Sequence, residues 1–463
     1  MYELTNEQTA IIVALKESNG KIVMAKARAG TGKTSTSLAA VNAIKPKKAL
    51  YTAFNKAIVL EAKGKFTSNV ECRTLHALAL SFVRPKLPIE DFTYECITED
   101  MPGDQIEHYS KKKLIIDAMD EFYRSSSTDM YQYLTDMLKD KYLVKITVRY
   151  IEGMLNDEIN PTFNFLLKYF HLLLYEKMIV VRYDLVILDE IQDSTGVALE
   201  IFKLLESPMK LGLGDPAQAI YEFMNLVNGF DVLKDTIDLE LSESFRVESS
   251  IANEIEGFCR KNISSDFRFK GTETPKEDGL TAYITMTNSQ IVFRLHELHK
   301  EGKRYTLTRS ITEIFACIIA LTTATAGKDP YHKRYKFLAY EYANFTLSGK
   351  KTFFGYLKSH IRDDEIHNAI DILQKFRLNK INVWDILKDA KAVKPDKAIT
   401  VGTAFSLKGL EFSTVYIEND INHNVARVIE DGGPLTDEDM VIMKVAYVAT
   451  SRCRKHLKNC KFL

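Results

Sequence analysis

The sequence predicts an α/β chain with two parallel-sheet cores, each interrupted by a mainly helical insert. Three observations carry this expectation. Short apolar strands recur, and several end in acidic or Gly-rich turns followed by helical periodicity. A Gly-rich loop, Ala27 to Thr34, sits between the first such strand and an Ala-rich helix. Two long stretches, 78–177 and 327–395, have helical spacing and almost no strand pattern. The length of 463 residues points the same way, because one hydrophobic core rarely serves more than about 250–300 residues.

The elements follow in order. Residues 4–16 place apolar side chains at helical spacing, with Thr5 as N-cap and Gln8 three positions on. A strand at 22–25, the Gly-rich turn, a helix at 34–44 and a strand at 49–53 complete a βαβ pattern. The first helical insert follows, carrying KKKLIIDAMDEFY and FNFLLKYFHLLLYEKM. Strands return at 185–188 and 210–213, each leading to an acidic residue. The second core is expected from strands at 280–284, 305–308, 399–403 and 414–418, with a helix at 437–452.

Composition excludes several classes. Lys plus Arg and Asp plus Glu each total 62, so no uniformly basic coat exists and any nucleic-acid groove must be a local patch. The six cysteines are spaced like neither a zinc knuckle nor a disulfide framework, which suits a reducing, cytoplasmic setting. No stretch reaches the ~18 apolar residues of a membrane span, so no membrane partner is expected.

The loop Ala27-Arg28-Ala29-Gly30-Thr31-Gly32-Lys33-Thr34 has the context of a phosphate cradle. Its glycines let backbone N–H groups turn inward, Lys33 supplies a cation for the outer phosphates, and the Thr34 hydroxyl can ligate Mg²⁺. The first position is Ala rather than Gly. At 185–188 an apolar strand delivers Asp189 and Glu190, suited to hold Mg²⁺ and to take a proton from attacking water. Gln218, after Gly214-Asp215-Pro216, can sense the terminal phosphate. Tyr221 and Phe223 stand open between core packing and a face for a base. Arg246 and Arg452 are candidates to neutralise charge that develops during phosphoryl transfer.

The ordered strings MAKARAGTGKT, YTAFNKAIVLEA, CRTLHALA, LVILDEIQD, LGDPAQAIYEF, LSESFR, VGTAFSLKGLEF and AYVATSR resemble the motif set of UvrD/Rep-type superfamily 1 DNA helicases, and within them the helicase portion of the F-box DNA helicases. The resemblance implies two RecA-like P-loop NTPase cores, formed by 1–77 with 184–245 and by 246–326 with 396–463, with inserts at 78–183 and 327–395. It implies ATP and Mg²⁺, 3′→5′ movement on single-stranded DNA and unwinding at single/double-strand junctions, with replication or recombination proteins as partners; a functional monomer is expected because the cleft would form within one chain. Gln8 would read adenine, although a capping box explains its position equally. Tyr221 and Glu411 would contact the nucleotide. Phe54, Asn55, Thr74, His76, Phe223, Thr403 and Phe405 would line the DNA track. Phe405 stands where the family often has His, which replaces a phosphate hydrogen bond by a stacking surface. The competing expectation is a DNA-stimulated ATPase that remodels protein–DNA complexes without separating strands.

Overall fold

A computed structural model describes residues 3–53, 56–99, 105–221, 226–347, 349–361 and 363–463. The chain divides into two compact units, Met1–Ser242 and Glu243–Leu463. Each holds one main parallel sheet flanked by helices, so the architecture is a tandem of RecA-like folds.

The first sheet contains β1 (Ile22–Ala27), β2 (Ala49–Ala53), β3 (Val70–Cys72), β4 (Leu185–Asp189), β5 (Met209–Gly214) and β6 (Ile237–Leu241). Their spatial order is β3-β2-β4-β5-β1-β6, and every pairing is parallel. Successive side chains on a strand face opposite sides, so an all-apolar strand can serve two cores. In β4, Leu185 and Ile187 join Ile11, Leu15, Val41 and Leu213 on one side. Val186 and Leu188 join Phe122, Phe170 and Phe202 on the other. The first face is covered by the helices Asn6–Glu17 and Lys33–Ile44. The second is covered by Gly196–Leu204 together with the helices of the insert, Gln105–Arg124, Lys141–Leu155 and Phe163–Tyr175.

The second unit opens with the pair β7 (Glu243–Glu248) and β8 (Lys270–Thr272). Its main sheet contains β9 (Thr281–Thr285), β10 (Thr306–Leu307), β11 (Ile399–Thr403), β12 (Phe412–Ile417) and β13 (Cys453–Lys458), in the order β10-β11-β9-β12-β13. The helices Asn288–Lys300 and Ile311–Thr325 share one apolar cluster with the insert helices Asp364–Leu378 and Val383–Ala392. Leu295, Phe315, Ile370 and Phe376 are all within 1% of full burial there. Among the described residues no helix is long and apolar enough to cross a membrane, and all six cysteines are free thiols.

Candidate active site

Parallel order puts the carboxyl ends of β1, β4 and β5 along one edge of the first sheet, with Lys26 of β1 opposite Gly214 of β5 and Leu188 of β4 opposite Gly212. The residues that follow these strands therefore converge without any long-range adjustment. After β1 the chain turns through Gly30 and Gly32 at φ 74° and 81°. That left-handed backbone strains any residue with a Cβ. Gly32 is the N-cap of the helix Lys33–Ile44, and the turn is pinned by Thr31 Oγ1 donating to the Arg28 carbonyl at 2.9 Å. The result is a Gly-rich loop ending on the positive end of a helix, a concavity suited to phosphate oxygens.

Lys33 Nζ lies 3.0 Å from Glu190 Oε1. Burial alone would lower the Lys33 pKa, but the carboxylates of Glu190, Asp189 and Asp215 outweigh it and hold the ammonium charged above the usual lysine value. Glu190 sits at φ 55°, uncommon for a residue with a side chain, and its N–H donates to Asp189 Oδ1 at 2.9 Å. Tyr51 in β2 donates its phenol proton to Asp189 Oδ2 at 2.5 Å. Thr34 stands in the first turn of the helix after the loop and Asp189 ends β4, and hard oxygen donors of this kind fit Mg²⁺. Burial first, then the neighbouring Glu190 charge, pushes the Asp189 pKa up against the opposing pull of Lys33 and Tyr51.

A third layer lies behind these groups. Gln192 Nε2 donates to Glu190 Oε2 at 2.5 Å, and its Oε1 accepts the Asp215 N–H at 3.0 Å. Asp215, fully buried, accepts from Arg28 Nη1 at 3.1 Å, from the Ala217 N–H at 3.2 Å and from Gln218 Nε2 at 2.9 Å. The P-loop residue Arg28 therefore turns its guanidinium into the interior toward Asp215, and Gln218 is tied to the same carboxylate. Tyr51, Gln192 and Asp215 were not among the expected site residues. Their signal is weak in sequence: Tyr51 reads as strand core, and the other two read as the tail of an acidic strand end.

Gln8 is buried and fully engaged. It forms the capping box with Thr5 through two bonds of 3.1 Å, and its Nε2 donates to Thr36 Oγ1 at 3.1 Å on the P-loop helix. Tyr221 is half-buried just beyond Gln218. Thr74 caps the helix Leu75–Phe82, and His76 Nε2 is 3.2 Å from Asn164 Oδ1, whose amide in turn donates to Asp120 at 2.6 Å. Burial holds His76 below the ordinary histidine value against that bond. Thr74 and His76 both line a cavity of about 170 Å³ between β4, the helix Leu75–Phe82 and the first insert. Phe54, Asn55 and Phe223, expected on the DNA track, lie outside the described residues.

The remaining candidates belong to the second unit. Arg246 pairs with Glu411, which also binds Arg454 at 2.7 Å. Burial pushes the Glu411 carboxyl up, and the guanidiniums of Arg246 and Arg454 outweigh it and hold it low. Arg452 is 2% exposed, with Nε donating to the Val448 carbonyl at 3.0 Å. Thr403 is buried and bonded to Ser406 at 3.2 Å, while Phe405 is half-buried.

The family model of the type III restriction enzyme, res subunit, matches residues 1–148. This overturns the UvrD/Rep-type assignment. The matched stretch follows a superfamily 2 helicase family, whereas the motif strings had suggested superfamily 1. The physical reason is that a phosphate loop and an acidic strand end answer the needs of nucleotide chemistry itself, so they recur in both groups and do not separate them. The chain is 24% identical over 468 residues to F-box DNA helicase 1 of Gallus gallus, covering 90% of this chain and 45% of that protein. It is 24% identical over 516 residues to F-box DNA helicase protein 1 of Schizosaccharomyces pombe, covering 98% and 57%. The chain spans about half the length of the curated relatives it matches, and at this identity they are remote.

Proposed function

We propose that the chain is an ATP-dependent DNA helicase that moves along single-stranded DNA, 3′→5′, and separates strands at a duplex junction. The observation that carries the reading is the convergence of Lys33, Asp189 and Glu190 at the Gly-rich loop that runs into Thr34, backed by Gln192, Asp215 and Gln218. The likeness to two proteins named as DNA helicases and to a restriction-enzyme res subunit supports the choice of nucleic acid as the track.

In this reading the N–H groups of residues 27–34 and Lys33 hold the phosphates of ATP. Thr34 and Asp189 would hold Mg²⁺, which supplies charge neutralisation at the phosphates. Among the described residues no cluster of three or more His, Cys, Asp or Glu is placed to hold a metal alone. Glu190 takes a proton from water as the water oxygen bonds to the terminal phosphorus. The bond from that phosphorus to its bridging oxygen breaks, and ADP leaves with the electron pair. Gln218 reports the state of the terminal phosphate. Gln8, Tyr221 and Glu411 serve the nucleoside, and Arg246 and Arg452 answer the charge of the transferring group. Thr74, His76, Thr403 and Phe405, with Phe54, Asn55 and Phe223, meet the DNA by stacking and backbone contact. The proposed cores are 1–77 with 184–245 and 246–326 with 396–463, and coupling comes from their opening and closing.

The test is ATP hydrolysis and strand separation on duplexes with a 3′ tail, a 5′ tail or no tail, for wild type and Lys33→Ala. Unwinding of the 3′-tailed duplex, abolished by Lys33→Ala, is the expected result. Hydrolysis on single-stranded DNA without a displaced strand would replace unwinding by remodelling of protein–DNA complexes, and hydrolysis by Lys33→Ala at the wild-type rate would refute the assignment of hydrolysis to the Lys33 loop.

A further inference from the structure

We propose that Gln192 is a positioning residue for hydrolysis, aiming the Glu190 carboxylate by tying it to the end of strand β5. The inference rests on the ATPase reading above. Gln192 is 2% exposed, and each functional atom of its amide is committed. Nε2 donates to Glu190 Oε2 at 2.5 Å and to Asp193 Oδ2 at 3.2 Å, and Oε1 accepts the Asp215 N–H at 3.0 Å. Glu190 is thereby held at both oxygens, by Lys33 on Oε1 and by Gln192 on Oε2. The two restraints differ in kind. Lys33 is on the phosphate loop and is expected to turn toward a phosphate when one is present. Gln192 is anchored in the interior and holds its oxygen whatever Lys33 does.

The passage for this amide is cut into the fold. A Cβ at Gly214 would stand 2.2 Å from Gln192 Oε1 and 3.1 Å from the Ile191 nitrogen. Glycine at the last position of β5 is thus what lets the amide reach the Asp215 N–H. An amide suits this place because it donates to a carboxylate and accepts from an N–H in one rigid plane while adding no charge beside the base. The same Asp215 receives Gln218 Nε2, so the group that would sense the terminal phosphate and the group that would take the proton are joined through Asp215 and Gln192.

The experiment measures DNA-stimulated ATP hydrolysis for wild type, Glu190→Gln, Gln192→Met, Gly214→Ala and the Glu190→Gln/Gln192→Met double variant, with thermal melting of each. Misaiming a reacting group by about 1 Å costs on the order of a hundredfold. Gln192→Met and Gly214→Ala are therefore each expected to lose about tenfold to a hundredfold in kcat, with the KM for ATP within about threefold of wild type. The double variant should be no slower than Glu190→Gln alone, because a residue that works through Glu190 has nothing left to aim. A further loss in the double variant, a wild-type kcat for Gln192→Met, or a rise in KM with kcat intact overturns the proposal. The two readings fail differently. A wild type that hydrolyses no ATP removes the ATPase reading as well, and a Glu190→Gln protein as fast as wild type removes Glu190 as the base, and the role of Gln192 with it, while hydrolysis stands; an active wild type with an inactive Glu190→Gln protein and an unaffected Gln192→Met protein removes only the role of Gln192.

Discussion

Replacing Arg28 by Met separates a structural guanidinium from a phosphate ligand. In the fold its Nη1 is 3.1 Å from Asp215 Oδ1, with the two side chains 7% and 0% exposed. Removing one member of so buried a pair takes from Asp215 the guanidinium that faces it, a change that typically costs about 3–5 kcal/mol. For the first unit, Met1–Ser242, a loss of that size corresponds to a fall in melting temperature on the order of 10 °C. The bonds to Asp215 from Ala217 and Gln218 remain, so the lower end of the range is expected. Arg28→Met combined with Asp215→Asn should recover part of the loss, since an amide carries no charge. Differential scanning fluorimetry, with nucleotide affinity measured on each variant below its melting point, checks both statements. An Arg28→Met protein that melts with wild type yet binds nucleotide at least tenfold more weakly would refute the reasoning and return the guanidinium to the phosphates.

Thr5→Ala removes the acceptor for the Gln8 N–H at 3.1 Å, and about 1 kcal/mol of stability should go with this N-cap, read as a lower denaturation midpoint of the first unit. Lys168 is 1% exposed and donates to the Ser125 carbonyl at 2.9 Å, and burial pulls its pKa down to about 7 against the opposing pull of Glu200. The folded state then holds fewer protons than the unfolded chain between about pH 7 and the ordinary lysine value, so this group adds stability as pH rises through that window. In thermal melts, Lys168→Met should compare most favourably with wild type near pH 7 and lose ground toward pH 10. A difference that stays flat with pH refutes the assignment.

How much was legible in the sequence depends on how far each side chain's partner lies along the chain. The P-loop was readable because its glycines, lysine and threonine act within eight consecutive residues, and the Asp189–Glu190 pair because one strand end carries both. Thr5 and Gln8 were readable as a capping box for the same reason. The Arg28–Asp215 and Gln192–Asp215 contacts join segments that no local pattern links, and Arg28 inside a phosphate loop reads as a phosphate ligand until its partner is seen. Central strands announced themselves by apolar runs. The edge strands β6, IDLEL, and β13, CRKHLK, did not, since an edge needs burial on fewer sides and carries charge that discourages further pairing. The three residues of β3 are too few to show a period. Superfamily was the poorest reading, because the strings used to choose it encode chemistry common to both alternatives.

The shared apolar cluster of the second unit has a practical consequence. Leu295 and Phe315 from the core helices and Ile370 and Phe376 from the insert bury one another, and Glu365 of the insert accepts the N–H groups of Asn288 and Ser289 at 2.9 and 3.0 Å. The segment is accordingly no detachable cassette. Excising it would strip the hydrophobic lining from two neighbouring helices and leave a helix start without its acceptor, so a shortened chain should aggregate rather than run as a smaller engine. Chimeras that exchange this segment with a relative's have to carry the helices Asn288–Lys300 and Ile311–Thr325 along with it.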